Sequence, residues 1–582
     1  TCTTGTDGAI LHLNGCNYIK IYGLEIGGHS AGKAYGILLD DCENHIVISN
    51  NHIHNLLTTK PGEHENGEAN GILLFGEGKT DETSINNICI ENNNIHNNTT
   101  GWSETLSTSG NCKYVNVINN TVHDNTNIGI DFYGNAKYCT VPAYDQPRYC
   151  VAAGNTVYNS ICSYAECAGL YLDGARDTIF ENNIIYGSMY GIEIGSEELQ
   201  ADYPVKNVIV RNNLVYKNSC GGIRVGGYDK KKTGYVTETK IYNNTLVDNG
   251  EGEGGWNGEF CFVKCNGVDV RNNMVYKSSN KYPLIGKDLP AQYTLNVTFN
   301  NNVFYDTNGS DGVYFEYQDK SFEGIDAFNT FVGGTNYSGK PSFNSDYSLA
   351  NGSYGIDLGD NGVLNDMGSM VDLGNNYRAI GTVDVGAFEY QDGSKPTVTT
   401  VSTTTTTTEA TTETTTYDKA DLNKDGNVDK KDCAIMLKLV QGLKTDIVAT
   451  DLNNDGKIDL LDALWYLAES SAKVWNYTTG ENTDDFYSVN AKNYKDATTI
   501  TYNGLTLTKA VKMESGTAIS FTAPKDGTLT LVANGGSGKK IKVNNVSYTI
   551  VSDGALEVPV KAGTVTVSKD TTSTYLYYMS FK

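Results

Sequence analysis

The stretch SNNHIHN at residues 49–55 decides the fold, because its pattern returns throughout the first two-thirds of the chain. Two asparagines precede a variable residue, an aliphatic residue and a histidine or tyrosine, with AGNTVYN (153–159) as a weaker copy. A regular period is typical of a solenoid in which each repeat forms one coil. Most steps between copies are 27 to 31 residues, since the second asparagine falls at 51, 93, 120, 155, 183, 213, 244, 273 and 302.

A second phrase, glycine–aliphatic–variable–apolar, lies between these copies. Both phrases alternate apolar and variable positions, which is strand periodicity. Asparagine tolerates left-handed corners, and stacked copies form amide ladders. The sequence therefore predicts an all-β fold, a right-handed parallel β-helix over residues 1 to about 392, and TVDVGAFEY (382–390) resembles the terminal coil of secreted β-helix proteins. The second phrase occurs as GILL (36–39 and 71–74), GIDF (129–132), GLYL (169–172), GIEI (191–194) and GIRV (222–225).

Composition narrows the range of partners. Of 582 residues, 44 are basic and 68 acidic, which gives a formal net charge of −24. Binding to nucleic acid needs clustered Lys and Arg, so neither nucleic acid nor an anionic membrane surface is an expected partner. The apolar runs are too short to span a bilayer. No signal peptide is present, and we expect the precursor to begin upstream of Thr1.

The 13 cysteines include no tight CxxC pair, which argues against a cysteine-based zinc site. Cys139 and Cys150 flank an excursion rich in proline and tyrosine, and a disulfide between them would close it in a secreted chain. For the other cysteines the alternative is a set of buried free thiols in a repetitive core.

A threonine-rich linker (393–417) leads to two copies of a calcium loop. Asp and Asn provide hard oxygen ligands, position 7 binds through its carbonyl, and glycine at position 6 allows the turn. The ligand positions are Asp421, Asn423, Asp425, Asn427, Asp429 and Asp432 in the first loop, and Asp451, Asn453, Asp455, Lys457, Asp459 and Asp462 in the second.

Each loop runs into an amphipathic helix without a helix in front of it. This duplicated unit, residues 418–472, resembles a dockerin. The resemblance implies two structural Ca²⁺ ions, the cohesin of a scaffoldin as partner, and an extracellular place in a cellulosome. A paired EF-hand sensor is the alternative. The positions that help to select the cohesin differ between the copies, Lys430-Lys431 against Leu460-Leu461, which argues against freely interchangeable dual binding.

Residues 473–582 alternate strongly and carry Gly and Asn-Gly turns, so they predict a small β-sandwich. It looks like the carbohydrate-binding modules appended to pectate lyases. Lys539, Lys540 and Lys542 would suit the carboxylates of pectin, and Trp475 or Tyr487 would stack on sugar rings. A purely structural sandwich with a solvated lysine face is the alternative.

Aligning the glycine phrases places Asp131, Tyr171, Glu193 and Arg224 in one outward column on consecutive coils, about 4.8 Å apart. Asp173 and Tyr133 fall in the column beside it. The loop GYDKKKTGY (227–235), with Tyr228, Asp229, Lys230, Lys231 and Lys232, would form a wall of the same groove. We therefore predict a site here, and a solvated charged face is the alternative.

Two chemistries fit these residues. The β-helix resembles polysaccharide lyases, nearest to the family 9 pectate lyases, in which aspartates on neighbouring coils bind Ca²⁺ and a lysine is the base. GGIRVGGYD (221–229) is similar to the strand that carries the base and places Arg224 at that position; Arg replaces Lys, and Asp173 and Glu193 match the aspartate motif only in part. The expected substrate is pectate or a related plant cell-wall polysaccharide.

An inverting glycoside hydrolase on pectin or xylan is the second possibility. Asp131 and Glu193, two coils apart, would lie about 9.6 Å from each other, close to the ~6.5–9.5 Å of inverting enzymes. A non-catalytic carbohydrate-binding β-helix is the third. The sequence leaves these three open.

Overall fold

The computed structural model describes residues 5–391 and 473–581 with short gaps, and the predicted dockerin with its calcium ligands lies outside the described residues. The chain divides into two compact units, Thr1–Glu409 and Ala410–Lys582. The gaps are residues 42–43, 64–65, 253–256, 288, 366–371, 375, 377, 379–380, 483–485, 503–504, 524–526, 535–538 and 551–554.

Three parallel sheets form the first unit, and each coil gives one strand to each sheet. This is the predicted β-helix. Sheet 1 contains Gly8–Leu13, Lys33–Leu39, Glu68–Gly76, Leu106–Gly110, Ile130–Tyr133, Ala168–Asp173, Tyr190–Gly195, Gly221–Val225, Phe260–Phe262 and Ile285–Gly286. Sheet 2 contains Asn17–Tyr22, Asn44–Ser49, Ile85–Glu91, Cys112–Ile118, Val151–Ala153, Arg176–Glu181, Val205–Arg211, Val236–Tyr242, Cys265–Arg271 and Thr294–Asn300. Sheet 3 contains Glu25–Ala31, His52–Thr58, Asn94–His96, Thr121–Asn125, Thr156–Ser160, Ile184–Tyr186, Leu214–Tyr216, Thr245–Val247, Met274–Tyr276 and Val303–Tyr305.

The paired asparagines form the corner between sheets 2 and 3, and the two members of a pair have different tasks. The first is left-handed, as at Asn182 (φ 55°) and Asn212 (φ 54°). The second is buried and joins a ladder: Asn183 Nδ2 donates to Asn213 Oδ1 at 2.9 Å and to the carbonyl of Ala152 at 2.9 Å. The ladder runs without a break from Asn51 to Asn336. Its last member, Asn336, does not belong to a copy of the repeated phrase. Each rung satisfies buried polar groups that would otherwise be costly.

Inward positions of the three sheets fill the interior with aliphatic and aromatic side chains. Ile130, Leu170, Ile192 and Ile223 stack along sheet 1 and are almost fully buried. Burying a side chain of this size contributes about 1.5–3 kcal/mol. Because inward and outward positions alternate, this stack fixes which residues of sheet 1 face away from the core.

The far end of the β-helix is closed by a hairpin and a short helix. Strands Tyr314–Tyr317 and Lys320–Glu323 pair antiparallel, and helix Ile325–Val332 packs Phe328 into the core. Two 3₁₀ turns lie at Ala291–Tyr293 and Asn361–Asn365. The prediction of a terminal coil at 382–390 is wrong, because this segment forms no strand and runs back along the asparagine corners, where Gly386 N donates to the carbonyl of Asn272 at 2.8 Å.

The second unit contains a β-sandwich of two antiparallel sheets. Their facing sides enclose one apolar core. The larger sheet contains Lys473–Asn476, Glu481–Asn482, Tyr494–Tyr502, Leu505–Met513, Gly527–Ala533, Ala555–Val560 and Thr574–Phe581. The smaller contains Ser488–Asn490, Ala518–Ala523, Lys540–Val543, Val546–Thr549 and Gly563–Lys569.

Cys139 and Cys150 are free thiols, so the predicted disulfide between them is wrong. The thiol of Cys139 donates to the carbonyl of Gly78 at 2.9 Å, and that of Cys150 to the carbonyl of Arg148 at 3.3 Å. No helix in the described ranges is long and apolar enough to cross a membrane.

Candidate active site

One outward column crosses the middle of sheet 1. Asp131 pairs in register with Tyr171, Tyr171 with Glu193, and Glu193 with Arg224. Ser107 precedes Asp131 in this column; its strand, LSTSG, lacks the glycine phrase, so sequence reasoning missed this coil. Asp131 is 1% exposed and Glu193 6%. The column is therefore the floor of a groove rather than an open face.

Long connections at the ends of the sheet 1 strands form the walls of this groove. Residues 134–150 follow one strand and residues 196–204 another. Gln146 Nε2 donates to the carbonyl of Tyr203 at 3.1 Å and joins the two connections. The two connections are therefore tied to each other, and the carboxyl groups of Asp131 and Glu193 on the floor are largely withdrawn from water.

The loop 226–235 is held by Lys264, which the sequence analysis did not select. Its buried ammonium donates to the carbonyl of Lys230 at 3.0 Å and to that of Thr233 at 2.5 Å, and burial lowers the pKa of Lys264. The carboxylate of Asp229 accepts the backbone N–H groups of Lys231 and Lys232 at 2.7 and 2.8 Å. Asp229 therefore shapes the loop, and the side chains of residues 230–232 are exposed.

Three carboxyl groups lie near Asp131 of the column, those of Asp173, Glu104 and Glu197. Burial, together with neighbouring carboxylates, raises the pKa of Asp131 and of Asp173 well above the usual range. Burial raises the pKa of Glu104 to about 7. Asp173 Oδ1 accepts the backbone N–H of Glu197 at 2.7 Å, whereas Asp131 Oδ1 has no hydrogen-bond partner among the described residues. Such a desolvated set of like charges either holds protons or binds a cation.

Arg224 and Glu193 form a buried ion pair next to these carboxyl groups. Arg224 Nη1 lies 2.5 Å from Glu193 Oε1 and 3.4 Å from Glu166 Oε2. Burial raises the pKa of Glu193 to about 7, although Arg224 opposes the change. Burial lowers the pKa of Arg224, but Glu193 and Tyr190 outweigh it and raise this pKa. The guanidinium therefore stays protonated and is a cation rather than a base.

The two predicted tyrosines have different surroundings. Tyr171 is 8% exposed and packs with Ile128 and Tyr190, so it belongs to the packing of the groove floor. Tyr133 is half-buried and its ring contacts that of Tyr138 edge-on, with 5.5 Å between the centroids. Burial raises the pKa of Tyr133, and the nearby Asp173 adds to the shift. Tyr133 therefore offers an aromatic edge beside the carboxyl groups.

Glu104, Glu166 and Glu197 were absent from the sequence prediction because none of them lies in a repeated phrase. A weak signal exists, since each stands within two residues of an end of a sheet 1 strand. A search for acidic residues that flank these strands would have found all three.

In the C-terminal sandwich, Lys540 and Lys542 lie on the outer face of one strand, whose alternate residues Ile541 and Val543 point into the core. Lys539 precedes this strand and is half-buried. Trp475 and Tyr487 are 6% and 2% exposed and belong to the core. The prediction that they stack on sugars is therefore wrong.

Three family models match the chain: a right-handed β-helix region (residues 8–198 and 150–246), a type I dockerin domain (419–467) and carbohydrate-binding module 77 (471–579). Type I dockerin domains bind calcium. The uncharacterized protein YwoF of Bacillus subtilis is 30% identical over 336 residues, which are 55% of this chain and 67% of that protein.

Several solved structures are similar to parts of this chain. One, from work on the Ruminococcus flavefaciens cellulosome and an expansion in its glycan recognition, is 36% identical and covers 19% of this chain and 92% of that chain, with a TM-score of 0.18. Pectate lyase Pel9A is 15% identical over 67% of this chain and 84% of that chain, with a TM-score of 0.38. The A-module of the Azotobacter vinelandii mannuronan C-5 epimerase AlgE4 is 14% identical over 57% of this chain and 86% of that chain, with a TM-score of 0.34.

Proposed function

Because the chain belongs to the same β-helix family as the uncharacterized protein YwoF and carries a type I dockerin and a carbohydrate-binding module, we propose that it is a secreted, cellulosome-associated polysaccharide lyase. Its substrate is pectate or a related uronic-acid polysaccharide, cleaved by calcium-dependent β-elimination. The observation that carries this proposal is the carboxyl group of Asp131, buried in the groove beside Asp173, Glu104 and Glu197 and with an oxygen that no described group satisfies.

The donor set of the groove suits calcium. Ca²⁺ takes several oxygen ligands from carboxylates in a flexible arrangement, and Asp131, Asp173, Glu104 and Glu197 offer such oxygens. A Ca²⁺ ion bound there would neutralise these groups, hold the carboxylate of a uronate and make its C5 proton more acidic. It would also let an acidic chain bind an acidic polymer, which the net charge of −24 otherwise opposes.

Arg224 has a positioning role in this proposal. It stands at the base position of the family 9 resemblance, but Glu193 keeps it protonated, so it does not accept the C5 proton. Its charge holds Glu193 in place and attracts the substrate carboxylate. Proton removal is assigned to Lys230, Lys231 or Lys232. Their loop includes Tyr228, whose pKa is raised by burial and by the nearby carboxyl groups of Glu197 and Asp173.

Hydrolysis is the second candidate, and the pKa of Glu193 favours it. A carboxyl group with a pKa of about 7 is suited to donate a proton at neutral pH. Asp131 lies two coils away in the same column, so it would be the base that activates water in an inverting reaction.

The two C-terminal modules would place the enzyme on its substrate. Exposed Lys540 and half-buried Lys539 and Lys542 of the sandwich would bind the carboxylates of a pectic polymer. The dockerin would bind the cohesin of a scaffoldin through its two calcium loops.

Digestion of polygalacturonate by the full chain tests the proposal. We expect absorbance of an unsaturated uronide, its loss with a chelator, and a large decrease in Asp131→Asn. The matched control is Asp177→Asn on sheet 2, where asparagine tolerates the left-handed backbone of that position. A second control, Asp425→Ala, removes a dockerin ligand and should leave cleavage unchanged. Reducing ends without the absorbance would establish hydrolysis, and binding without cleavage of any plant polysaccharide would favour a non-catalytic carbohydrate-binding protein.

A further inference from the structure

The last residue of the repeated asparagine phrase forms an outward column of stacked rings on sheet 3. The ring centroids of His96 and His123 are 4.8 Å apart, those of His123 and Tyr158 4.7 Å, and those of Tyr158 and Tyr186 4.8 Å. Tyrosine fills this column in the later coils except at Val247, so stacking does not require an imidazole. Histidine occupies it only in three consecutive early coils, beginning at His54.

Two residues of the neighbouring column approach these early histidines. Glu25 and His52 pair in register on adjacent coils. Glu25 Oε1 lies 3.2 Å from His54 Nε2, and one ligand atom each of Glu25, His52 and His54 lies within 4.8 Å of the others. His52 Nε2 also lies 2.6 Å from His96 Nε2. Nitrogen and carboxylate donors from three coils thus meet at one point of the surface.

The short distance between His52 and His96 limits what can lie between the two rings. Two imidazole nitrogens at 2.6 Å cannot both carry a proton that points at the other. At this separation one proton can be shared between the rings. For both nitrogens to bind one Zn²⁺ ion the rings would have to move apart, because a tetrahedral ion with Zn–N distances of about 2.0–2.1 Å holds two nitrogen ligands about 3.3 Å from each other. Asp124, bound to His123 at 2.7 Å, is the other charged group near the stack.

We propose that Glu25, His52 and His54 bind a divalent transition-metal ion of the zinc class, with His96 as a further ligand. Imidazole and carboxylate donors are those that Zn²⁺ takes in proteins. This site differs in chemistry from the groove on sheet 1, where the donors are hard carboxylate oxygens, and it does not depend on the proposed lyase activity.

The surroundings of the cluster are consistent with this role. Asn55 Nδ2 lies 3.0 Å from His54 Nδ1; because the two ends of an amide can be exchanged, its oxygen can accept the Nδ1 proton and leave Nε2 for the metal. Such a partner behind a histidine ligand orients the ring. Glu25 and His52 are exposed, so an ion can enter from solvent.

Calorimetric titration of the full chain with Zn²⁺ tests the proposal. The buffer contains excess Ca²⁺, so that the dockerin loops are already occupied. We expect one saturable Zn²⁺ site per chain, weakened by about tenfold or more in His52→Ala and in Glu25→Gln. Bound Zn²⁺ should also raise the Tm of the β-helix in the unaltered protein and not in His52→Ala.

The matched control is His12→Gln. His12 pairs with Asp40 at 2.8 Å on sheet 1, so it offers one histidine and one carboxylate without the converging rings, and its loss should not change Zn²⁺ binding. Equal Zn²⁺ affinity in the unaltered protein and in His52→Ala, or no saturable heat at all, would overturn the proposal. Glu25→Gln keeps the test valid if His52→Ala folds poorly, because Glu25 is on the surface.

Discussion

Replacing Glu193 by glutamine measures how much the ionisation of this buried carboxyl group destabilises the folded protein. The pKa of Glu193 rises from 4.5 to about 7 in the folded protein, which corresponds to about 3.4 kcal/mol at about 1.36 kcal/mol per pH unit. A raised folded-state pKa stabilises the fold below the unfolded value and loses this contribution as pH increases. Through this one group, the free energy of unfolding should therefore fall by up to about 3 kcal/mol between pH 4.5 and pH 8.

Glu193→Gln cannot ionise, so it should lack this part of the pH dependence. Urea unfolding followed by circular dichroism at pH 4.5 and pH 8 gives the free energy of both proteins. The quantity to compare is the change with pH, because any constant cost of packing glutamine beside Arg224 cancels. We expect the fall to be smaller in Glu193→Gln by about 2–3 kcal/mol.

Glu181→Gln is the matched variant for this experiment. Glu181 contacts Arg211 at 2.7 Å on sheet 2, so its replacement reports what the loss of a buried Arg–Glu contact does outside the groove. If Glu193→Gln and the unaltered protein show the same fall between pH 4.5 and pH 8, the assignment of Glu193 as a group with a raised pKa is wrong.

Three further predictions concern the scaffold and the two appended modules. Asn213→Ala removes a rung of the ladder and leaves buried amides unpaired, so the free energy of unfolding should fall by about 3 kcal/mol; an unchanged urea midpoint would contradict this. Asp425→Ala or Asp455→Ala should weaken the calcium-dependent binding of a type I cohesin, measured by calorimetry, and affinity equal to that of the unaltered chain would disprove the ligand assignment. Lys540→Ala combined with Lys542→Ala should reduce retardation in gels that contain homogalacturonan, and unaltered migration would leave the sandwich a structural role.

Sequence periodicity was sufficient for the β-helix and for the order of residues along sheet 1. The reason is physical: alternation along a strand separates inward from outward positions, and the fixed corner sets the register between coils. Asp131, Tyr171, Glu193 and Arg224 are therefore neighbours in the structure as the alignment of glycine phrases requires.

Periodicity could not predict which loop residues belong to the site. It also could not predict how deeply an outward residue is buried. Glu104, Glu197 and Lys264 lie outside the repeated phrases, in connections between strands. Periodicity says nothing about where such residues make contacts, such as that of Glu197 with Asp173 or of Lys264 with Thr233. Tyr171 faces away from the core and is nevertheless buried, packed with Ile128 and Tyr190. In the sandwich, alternation shows that two faces exist but not which one is covered, so Trp475 was placed on the wrong side.

The corner between sheets 2 and 3 is two residues long in every coil, from 23–24 to 301–302. Additions to the chain enter elsewhere: residues 134–150 lengthen one coil at the groove, yet the ladder step from Asn120 to Asn155 is still closed at 3.1 Å. The corner between sheets 2 and 3 therefore keeps a constant spacing from coil to coil, while the connections that follow sheet 1 differ in length. Related chains can therefore acquire new substrates by changing loop length at the groove. A longer loop grafted between residues 76 and 85 should alter which polymer fits without preventing the protein from folding.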